Sequence, residues 1–240
     1  MYQPRNYRKW HESPDLVSFT VTVKETNLFI SAGSNLERKA HRLVLKYRTA
    51  LETYIADHPD FLTSLKPVDV EPDAPMIIRE MTEATCKAGV GPMASVAGAV
   101  AQFIGKELLK YSSDVIIENG GDIYVKSTTD RVIGIYAGDS PLSGKLGIEL
   151  KSDETPCGVC TSSGTVGHSL SFGKADAVTI IAPSAILADA MATTCGNVVQ
   201  TYNDIEQGLA IASKVEGVTG AVIIVGDHVG VWGAVRLKRL

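Results

Sequence analysis

The most informative stretch of the chain is residues 157–197, CGVCTSSGTVGHSLSFGKADAVTIIAPSAILADAMATTCGN. Its β-branched residues predict strands at 158–161 and 177–181, and a helix is predicted from Ser184 to about residue 198. A loop rich in hydroxyl groups and glycine lies between the two strands. We therefore expect this loop and the helix to meet at the end of a sheet, which is a usual place for a ligand site.

Length and composition are those of an ordinary globular protein. The chain has 240 residues, of which 45% are hydrophobic and 21% are charged, and its net charge is −4 at pH 7. This length predicts a single domain, with two intertwined α+β subdomains as the alternative. The negative net charge argues against a general electrostatic attachment to nucleic acid.

The sequence also predicts where the protein works. The positive residues Arg5, Arg8 and Lys9 are not followed by an apolar run, and no apolar stretch approaches the length of a membrane span. The four cysteines fit a reducing compartment. These features predict a cytoplasmic protein that does not bind membranes.

Outward from the opening stretch, the sequence predicts hairpins with long helices between them. For the first half, the predictions are a hairpin of strands 16–23 and 28–31, a helix from a Ser34 cap to about 56, a surface connection at 66–75, a short strand at 76–78 and a helix at 92–111. For the second half, they are strands at 115–117, 123–125, 132–136, 146–150, 221–225 and 230–235 and a helix at 205–214. This order predicts an α+β fold in which antiparallel sheets pack against long helices.

Asp189 and Thr193 are four residues apart in the predicted helix, so their side chains lie on one face. A carboxylate and a hydroxyl at this spacing suit Mg²⁺, which prefers oxygen ligands and completes its shell with water and phosphate. The alternative is structural, with the threonine hydroxyl bonded to its own helix and the aspartate favoured by the helix dipole. From spacing alone, the structural interpretation is favoured.

The loop Thr161-Ser162-Ser163-Gly164 is a second candidate. Its backbone N–H groups are able to form an anion-binding nest, although such sequences are also common in ordinary turns. His168 follows the loop. Its ordinary pKa near 6.5 suits proton transfer or phosphate contact, but a loop histidine is more often structural.

Two glycine-containing segments complete the candidate site. Asn119-Gly120-Gly121-Asp122 predicts a tight hairpin turn, and its lack of side chains also allows a nucleotide to approach the backbone, with Asp122 near the sugar hydroxyls. Residues 88–95 place glycines before a helix, where free N–H groups favour an anion, but no P-loop lysine is present. For the small residues Ala94, Ala97, Gly98 and Ala101, close helix packing is the alternative interpretation.

Cys157 and Cys160 have the two-residue spacing of zinc and redox sites. A second such pair is missing, and a pair within a strand does not start a helix as a thioredoxin-type motif does. We therefore interpret both as small apolar residues beside the site.

Three segments, taken in order, resemble a known family. They are Asn119-Gly120-Gly121-Asp122-Ile123, Thr161-Ser162-Ser163-Gly164 with His168, and Ala188-Asp189-Ala190-Met191-Ala192-Thr193. Their order and spacing resemble the ApbE-type superfamily of FAD:protein FMN transferases over roughly the second half of the chain. The chain is similar over nearly its whole length to a shorter branch of that superfamily, found in methanogens and some anaerobic bacteria.

The resemblance implies an ApbE-like fold, Mg²⁺ and a flavin nucleotide such as FAD as ligand, and a protein acceptor. It implies that Asp189 and Thr193 bind Mg²⁺. The implied nucleotide and pyrophosphate contacts are Asn119, Gly120, Gly121, Asp122, Thr161, Ser162, Ser163 and Gly164.

The chain departs from the transferases after this loop. They carry a His-x-x-Asp-Pro-x-Thr-Gly segment there, of which residues 167–173 keep only His168. The leading hypothesis is a Mg²⁺-dependent transferase or hydrolase that acts at the FAD pyrophosphate, with His168 and Asp189 as catalytic candidates. The alternatives are a non-catalytic protein that keeps the pocket for a different coenzyme, and a purely structural partner protein. The sequence leaves the acceptor and any homo-oligomer undetermined.

Overall fold

The computed structural model of the protein describes residues 14–166 and 171–240. In chain order its strands are β1 (Val17–Val23), β2 (Thr26–Ala32), β3 (Val115–Asn119), β4 (Asp122–Lys126), β5 (Arg131–Gly134), β6 (Leu146–Leu150), β7 (Cys157–Ser162), β8 (Ala177–Ala182), β9 (Gly220–Val225), β10 (His228–Gly233) and β11 (Arg236–Arg239). They form two antiparallel sheets, an eight-stranded one in the order β1-β2-β3-β4-β7-β8-β9-β10 and a three-stranded one in the order β11-β6-β5.

Helices cover one face of the large sheet. They are α1 (Glu37–Asp57), α2 (Pro59–Thr63), α3 (Met76–Ala88), α4 (Val96–Leu108), α5 (Ala185–Val198) and α6 (Ile205–Ala212), with short 3₁₀ turns at 92–95, 152–154 and 202–204. No single helix in the described part of the chain is long and apolar enough to cross a membrane. By length and composition alone, only α3 together with residues 92–108, bent by 100°, passes that test.

The large sheet separates two apolar cores. Along β8, Val178, Ile180 and Ala182 face the helices, whereas Ala177 and Ile181 face the small sheet. Strand β8 is therefore buried on both faces, which explains its continuous apolar sequence. In the helical layer α5 is itself almost wholly buried, and α3 and α4 pack against it. This central position fixes α5 relative to the strand ends.

Small residues let the layers approach closely. A Cβ at Gly158 of β7 would lie 2.2 Å from the Cα of Ala185, and a Cβ at Gly105 of α4 would lie 2.2 Å from the Tyr124 ring. Real Cβ atoms do not approach other atoms so closely, so α4 and α5 reach the sheet only because glycine stands at these points. The small-sided sequence of α4 is thus explained by packing.

Most predicted elements are confirmed, including the opening hairpin, the surface connection at 66–75 and the strands on either side of the loop at 161–164. The strand predicted at 76–78 is wrong, because these residues begin α3. The predicted Ser34 cap is also wrong: no side chain of the N-cap residue Leu36 caps α1, and the Glu37 N–H donates to Asn35 Oδ1 at 2.9 Å. Strand β11 was not predicted, because its charged residues resemble a solvated tail.

Candidate functional site

One cavity, with a volume of about 860 Å³, brings together segments that are far apart in the sequence. It lies where the β1–β2 and β3–β4 turns, the end of β7 and the helix α5 meet. The predicted site residues that line it are Asn119, Gly120, Gly121, Asp122, Thr161, Ser162, Ser163, Asp189 and Thr193. The sequence segments expected to converge therefore do converge.

One predicted site residue among those described is not found in this lining. Gly164 is not among the cavity residues; its N–H donates to Ala175 O at 2.9 Å, and a Cβ there would lie 2.1 Å from Gly173 O. The close approach of these two backbones explains the glycine. His168, the catalytic candidate, lies outside the described residues.

The β3–β4 turn is held against α4. Gly120 and Gly121 have φ angles of +72° and +113°, the conformations that a two-residue hairpin turn requires. The Gly121 N–H donates to Glu118 Oε1 at 3.1 Å, and Asn119 Nδ2 donates to Ala97 O at 3.1 Å. The predicted hairpin turn is confirmed, and its backbone forms part of the cavity wall.

Asp189 is anchored by the beginning of α4. Its Oδ2 accepts the backbone N–H of Gly98 at 2.8 Å, and its side chain is 9% exposed. A Cβ at Gly98 would lie 2.9 Å from the Asp189 Cβ and 2.3 Å from Ala185 O. The N-terminus of α4 thus stabilises the carboxylate, and only glycine permits this approach.

The cavity contains several acidic groups whose negative charges repel one another. Burial raises the pKa of Asp189 to about 7, although the N–H groups of Gly98 and Ala97 counteract it. Burial, together with the charges of Asp189 and Glu118, raises the pKa of Asp122 well above its ordinary value. A bound cation would relieve this repulsion.

The donor chemistry fits Mg²⁺ with a small set of protein ligands. Asp189 supplies a carboxylate and Thr193 a hydroxyl to the same cavity. Among the described residues no group of three or more His, Cys, Asp or Glu side chains has the arrangement of a metal site. The remaining oxygen ligands would therefore come from hydroxyl groups, water and the bound molecule, as Mg²⁺ permits.

The hydroxyl-rich loop uses many of its N–H groups within the protein. The N–H groups of Thr165 and Val166 both donate to Ser163 Oγ, at 3.1 and 2.9 Å, and that of Thr161 donates to Gly121 O at 3.2 Å. The Oγ1 atoms of Thr161 and Thr179 are 2.9 Å apart. These N–H groups are not available as an anion nest.

The glycines before α4 are explained by the backbone. Gly89 ends α3 in the left-handed conformation, with φ +74°, and its N–H donates to Thr85 O at 2.8 Å. A Cβ at Gly91 would lie 1.8 Å from Ser64 O. Gly89 is thus explained by helix termination and Gly91 by its close approach to Ser64, and Gly91 also lines the cavity.

The two cysteines of the CxxC pair face opposite sides of β7. Cys160 belongs to the helical core and Cys157 to the core beneath the small sheet. Burial raises the pKa of the Cys157 thiol to about 12, and burial with the nearby acidic groups raises that of Cys160 well above its ordinary value. Both are free thiols and act as small apolar residues, as predicted.

Sequence reasoning missed the part of the cavity wall that comes from the first half of the chain. Lys24 and Glu25 of the β1–β2 turn line it, as do Leu62 of α2 and Leu65 after that helix. Glu118, next to the predicted turn, was not proposed as a site residue. The one available signal was the charged pair Lys24-Glu25 in a two-residue hairpin loop, where glycine or asparagine is usual.

Comparisons with known proteins agree with this architecture. Residues 8–231 match the model of a family described as "AbpE bacteria". The chain is 44% identical over 221 residues to a UPF0280 protein of Methanocaldococcus jannaschii, covering 90% of each chain. It is 47% identical over 202 residues to a UPF0280 protein of Methanothermobacter thermautotrophicus, covering 82% of this chain and 77% of that one.

Solved structures show the same fold at low sequence identity. The flavinyl transferase ApbE of Pseudomonas stutzeri superposes with a TM-score of 0.60 at 16% identity, covering 90% of this chain and 93% of that one. The ApbE protein of Thermotoga maritima gives a TM-score of 0.57 at 14% identity, covering 90% and 96%. The α+β fold is thus the ApbE fold, and the chain belongs to an ApbE-like family that includes UPF0280 proteins of methanogens.

Proposed function

We propose that the protein binds a flavin nucleotide such as FAD, together with Mg²⁺, in the cavity beside α5. The observation that carries this proposal is the convergence of the β3–β4 turn, the hydroxyl loop and the pair Asp189 and Thr193 on one cavity. Two proteins with this fold are ApbE proteins, and one of them is a flavinyl transferase. The volume of about 860 Å³ lies within the range of small-molecule sites.

The charges of the cavity support the requirement for a cation. Its described lining contains the four carboxylates of Glu25, Glu118, Asp122 and Asp189, against the single ammonium group of Lys24. Where these groups are ionised, a pyrophosphate entering without a cation would meet repulsion, and a bound cation would favour their ionised forms. Bound Mg²⁺, which Asp189 and Thr193 would hold, would offset this repulsion and would make binding of the nucleotide dependent on Mg²⁺.

The proposed reaction is attack on the phosphorus of the FMN half of FAD. The oxygen of a protein hydroxyl or of water forms the new P–O bond, the P–O–P link breaks, AMP leaves, and the proton of the attacking group passes to solvent or to a base. When bound, Mg²⁺ supplies stabilisation of the negative charge that develops on the phosphate oxygens. His168 stays a prediction for proton transfer or phosphate contact.

The protein's own residues orient the ligand in this proposal. Gly98 holds the Asp189 carboxylate in place. The turn at Gly120 and Gly121 lets the ligand approach the backbone, and Ser162 and Ser163 offer hydroxyl groups. This positioning of reactants is the larger part of catalysis in phosphoryl transfer.

The test is a titration of the purified protein with FAD, with Mg²⁺ and with EDTA, followed by calorimetry. We expect Mg²⁺-dependent binding by the wild type and a loss of at least tenfold in affinity for Asp189→Ala. Asp69→Ala, a change in the exposed connection at 66–75, is the matched control and should bind as the wild type does. Absence of FAD binding by metal-loaded wild type would overturn the proposal.

Catalysis is tested separately by incubation with FAD and a threonine-containing peptide, with chromatography of AMP and of flavin-labelled peptide. AMP with labelled peptide indicates transfer, and AMP with FMN indicates hydrolysis. Binding without AMP would favour the non-catalytic alternative, in which the pocket serves a different coenzyme. Mass spectrometry of ligand retained by natively purified protein would then identify that coenzyme.

A further inference from the structure

Lys24 has an unusual backbone conformation. Among residues 14–166 and 171–240 it is the only non-glycine residue with a positive φ, +51°. It occupies the first position of the two-residue loop between β1 and β2, where Val23 pairs with Thr26. Positive φ at this position favours glycine, since a side chain there is strained. The lysine therefore costs stability that glycine would not.

The ion pair of Lys24 does not explain this cost. Its Nζ lies 2.7 Å from Glu52 Oε2, but the two side chains are 60% and 44% exposed, and exposed ion pairs contribute little. Glu52 is already paired, because its Oε1 accepts Nε and Nη2 of Arg48 at 3.1 and 2.7 Å. Removal of Lys24 would leave this carboxylate with a cationic partner.

The location of Lys24 offers a different explanation. It is the only lysine or arginine among the described residues that line the acidic cavity. The hairpin that carries it is braced by a hydrogen bond from Asn27 Nδ2 to Thr22 Oγ1, at 2.7 Å. Both of these residues also line the cavity, so the hairpin tip forms a firm part of its wall. Strained residues that persist in such places often serve function.

We propose that Lys24 is a specificity-determining residue whose ammonium group moves from Glu52 to a phosphate group of the bound nucleotide. The inference rests on the proposed function, because it concerns the ligand of the same cavity. A flexible four-carbon stem with three donors suits such an exchange of partners. The site then prefers phosphorylated flavins, and the strained lysine is kept because glycine would remove the one lysine or arginine among the described lining residues.

The experiment measures affinities for FAD, FMN and riboflavin in the presence of Mg²⁺, together with melting temperatures. We expect Lys24→Gly and Lys24→Met to weaken FAD binding about tenfold and to leave riboflavin binding within twofold of the wild type. Lys24→Arg, which keeps the charge, should retain FAD affinity within about threefold. Lys24→Gly should also raise the melting temperature, because glycine relieves the backbone strain.

Two control variants separate the ligand contact from the ion pair. Lys87→Met removes a lysine that pairs with Glu83 at 2.8 Å outside the cavity, and it should bind FAD as the wild type does. Glu52→Gln removes the competing partner of Lys24, and it should keep or strengthen FAD binding.

The outcomes distinguish this inference from the proposed function. If the wild type binds FAD and Lys24→Gly binds it equally well, the role of Lys24 is refuted while the proposed function stands. Equal weakening of FAD and riboflavin by Lys24→Met would also refute the phosphate contact. If the metal-loaded wild type binds neither FAD nor FMN, both proposals fail.

Discussion

The backbone N–H of Gly98 donates a hydrogen bond to Oδ2 of Asp189 at 2.8 Å, which joins the first turn of α4 to the middle of α5. A Cβ at Gly98 would meet the carbonyl oxygen of Ala185 at 2.3 Å. We therefore expect Gly98→Ala to lower the free energy of unfolding by about 2 kcal/mol, because overpacking outweighs the helix propensity of alanine. Urea denaturation measures this loss.

Gly196→Ala is the matched control for this prediction. Gly196 lies in α5, and a Cβ there would have the Ser162 Oγ as its nearest described neighbour beyond its own helix, at 3.7 Å, an ordinary contact. Alanine at this position should be neutral or stabilising by up to about 1 kcal/mol. If the two variants were equally stable, the close approach at Gly98 would not be what holds α4 and α5 together.

The neighbouring residues Thr193 and Thr194 should respond differently to the same substitution. Thr194 Oγ1 donates to Ala88 O at 2.8 Å, whereas Thr193 lines the cavity. Thr194→Val should lower the free energy of unfolding by about 1 kcal/mol and leave FAD affinity intact. Thr193→Val should weaken Mg²⁺-dependent FAD binding about tenfold, equivalent to about 1.4 kcal/mol. Calorimetric titration and urea denaturation of both variants separate these roles, and a reversed pattern would contradict the assignment.

Asp122 should destabilise the metal-free protein at neutral and higher pH. Its pKa in the folded state is raised, so the folded protein holds a proton that the unfolded chain releases. The stability that Asp122 contributes is therefore greatest below its ordinary pKa of 3.8, and it is lost as the pH rises through the raised pKa of the folded state. The neighbouring Asp189, whose pKa is raised to about 7, has the same dependence on pH. Asp122→Asn should raise stability by on the order of 1 kcal/mol in EDTA at pH 8. Unfolding measured from pH 4 to pH 8 tests this, and a variant less stable than the wild type at pH 8 would refute it.

Asp114 should stabilise the folded protein with a pH dependence opposite to that of Asp122. Burial opposes its ionisation, but the Thr128 N–H and the hydroxyls of Ser113, Ser127 and Thr128 donate to it and hold its pKa at about 2. A lowered pKa gives stability that is present above pH 3.8 and lost as the pH falls toward 2. Asp114→Asn should therefore cost about 2 kcal/mol at pH 7, by that difference in pKa, and progressively less in acid. The exposed Asp69→Asn is the control, and equal losses in the two variants would contradict the prediction.

Of the four cysteines, only Cys86 is exposed. Thiol reactivity requires the thiolate, and burial raises the pKa of Cys157 and Cys195 to about 12 and that of Cys160 well above its ordinary value. A colorimetric thiol titration should detect one reactive group in the folded protein and four in denaturant. Rapid labelling of Cys160 in the native state would show that the packing between β7 and α5 opens.

The fold class was predictable because short β-branched runs, some joined by turns such as Gly120-Gly121, are separated by segments of helical periodicity. The strand predicted at 76–78 was wrong because three consecutive apolar residues are compatible with either a strand or a helix. The helical spacing of buried Ile77, Ile78, Met81 and Ala88 appears only over the longer window of α3. Strand β11 escaped prediction because pairing with β6, rather than its own hydrophobicity, makes Arg236–Arg239 a strand.

The candidate site was predictable where a single segment carries its chemistry, as with Asp189 and Thr193 on one helix face. Lys24 and Glu118 were missed because they reach the cavity only through the pairing of β2 with β3. The sequence does not indicate which residues of these two strands lie opposite each other. The single-domain interpretation and the role of His168 stay predictions.

In the proposed function, the acidic groups of the cavity wall would make metal and nucleotide reciprocal ligands. Each would bind poorly alone, since the nucleotide meets like charge and the ion finds few protein donors. By thermodynamic linkage, whatever factor Mg²⁺ adds to the affinity for FAD, FAD adds equally to the affinity for Mg²⁺. Occupancy of the cavity would then rise steeply with the concentration of the Mg²⁺–FAD complex. The protein would therefore respond to magnesium supply as well as to coenzyme supply.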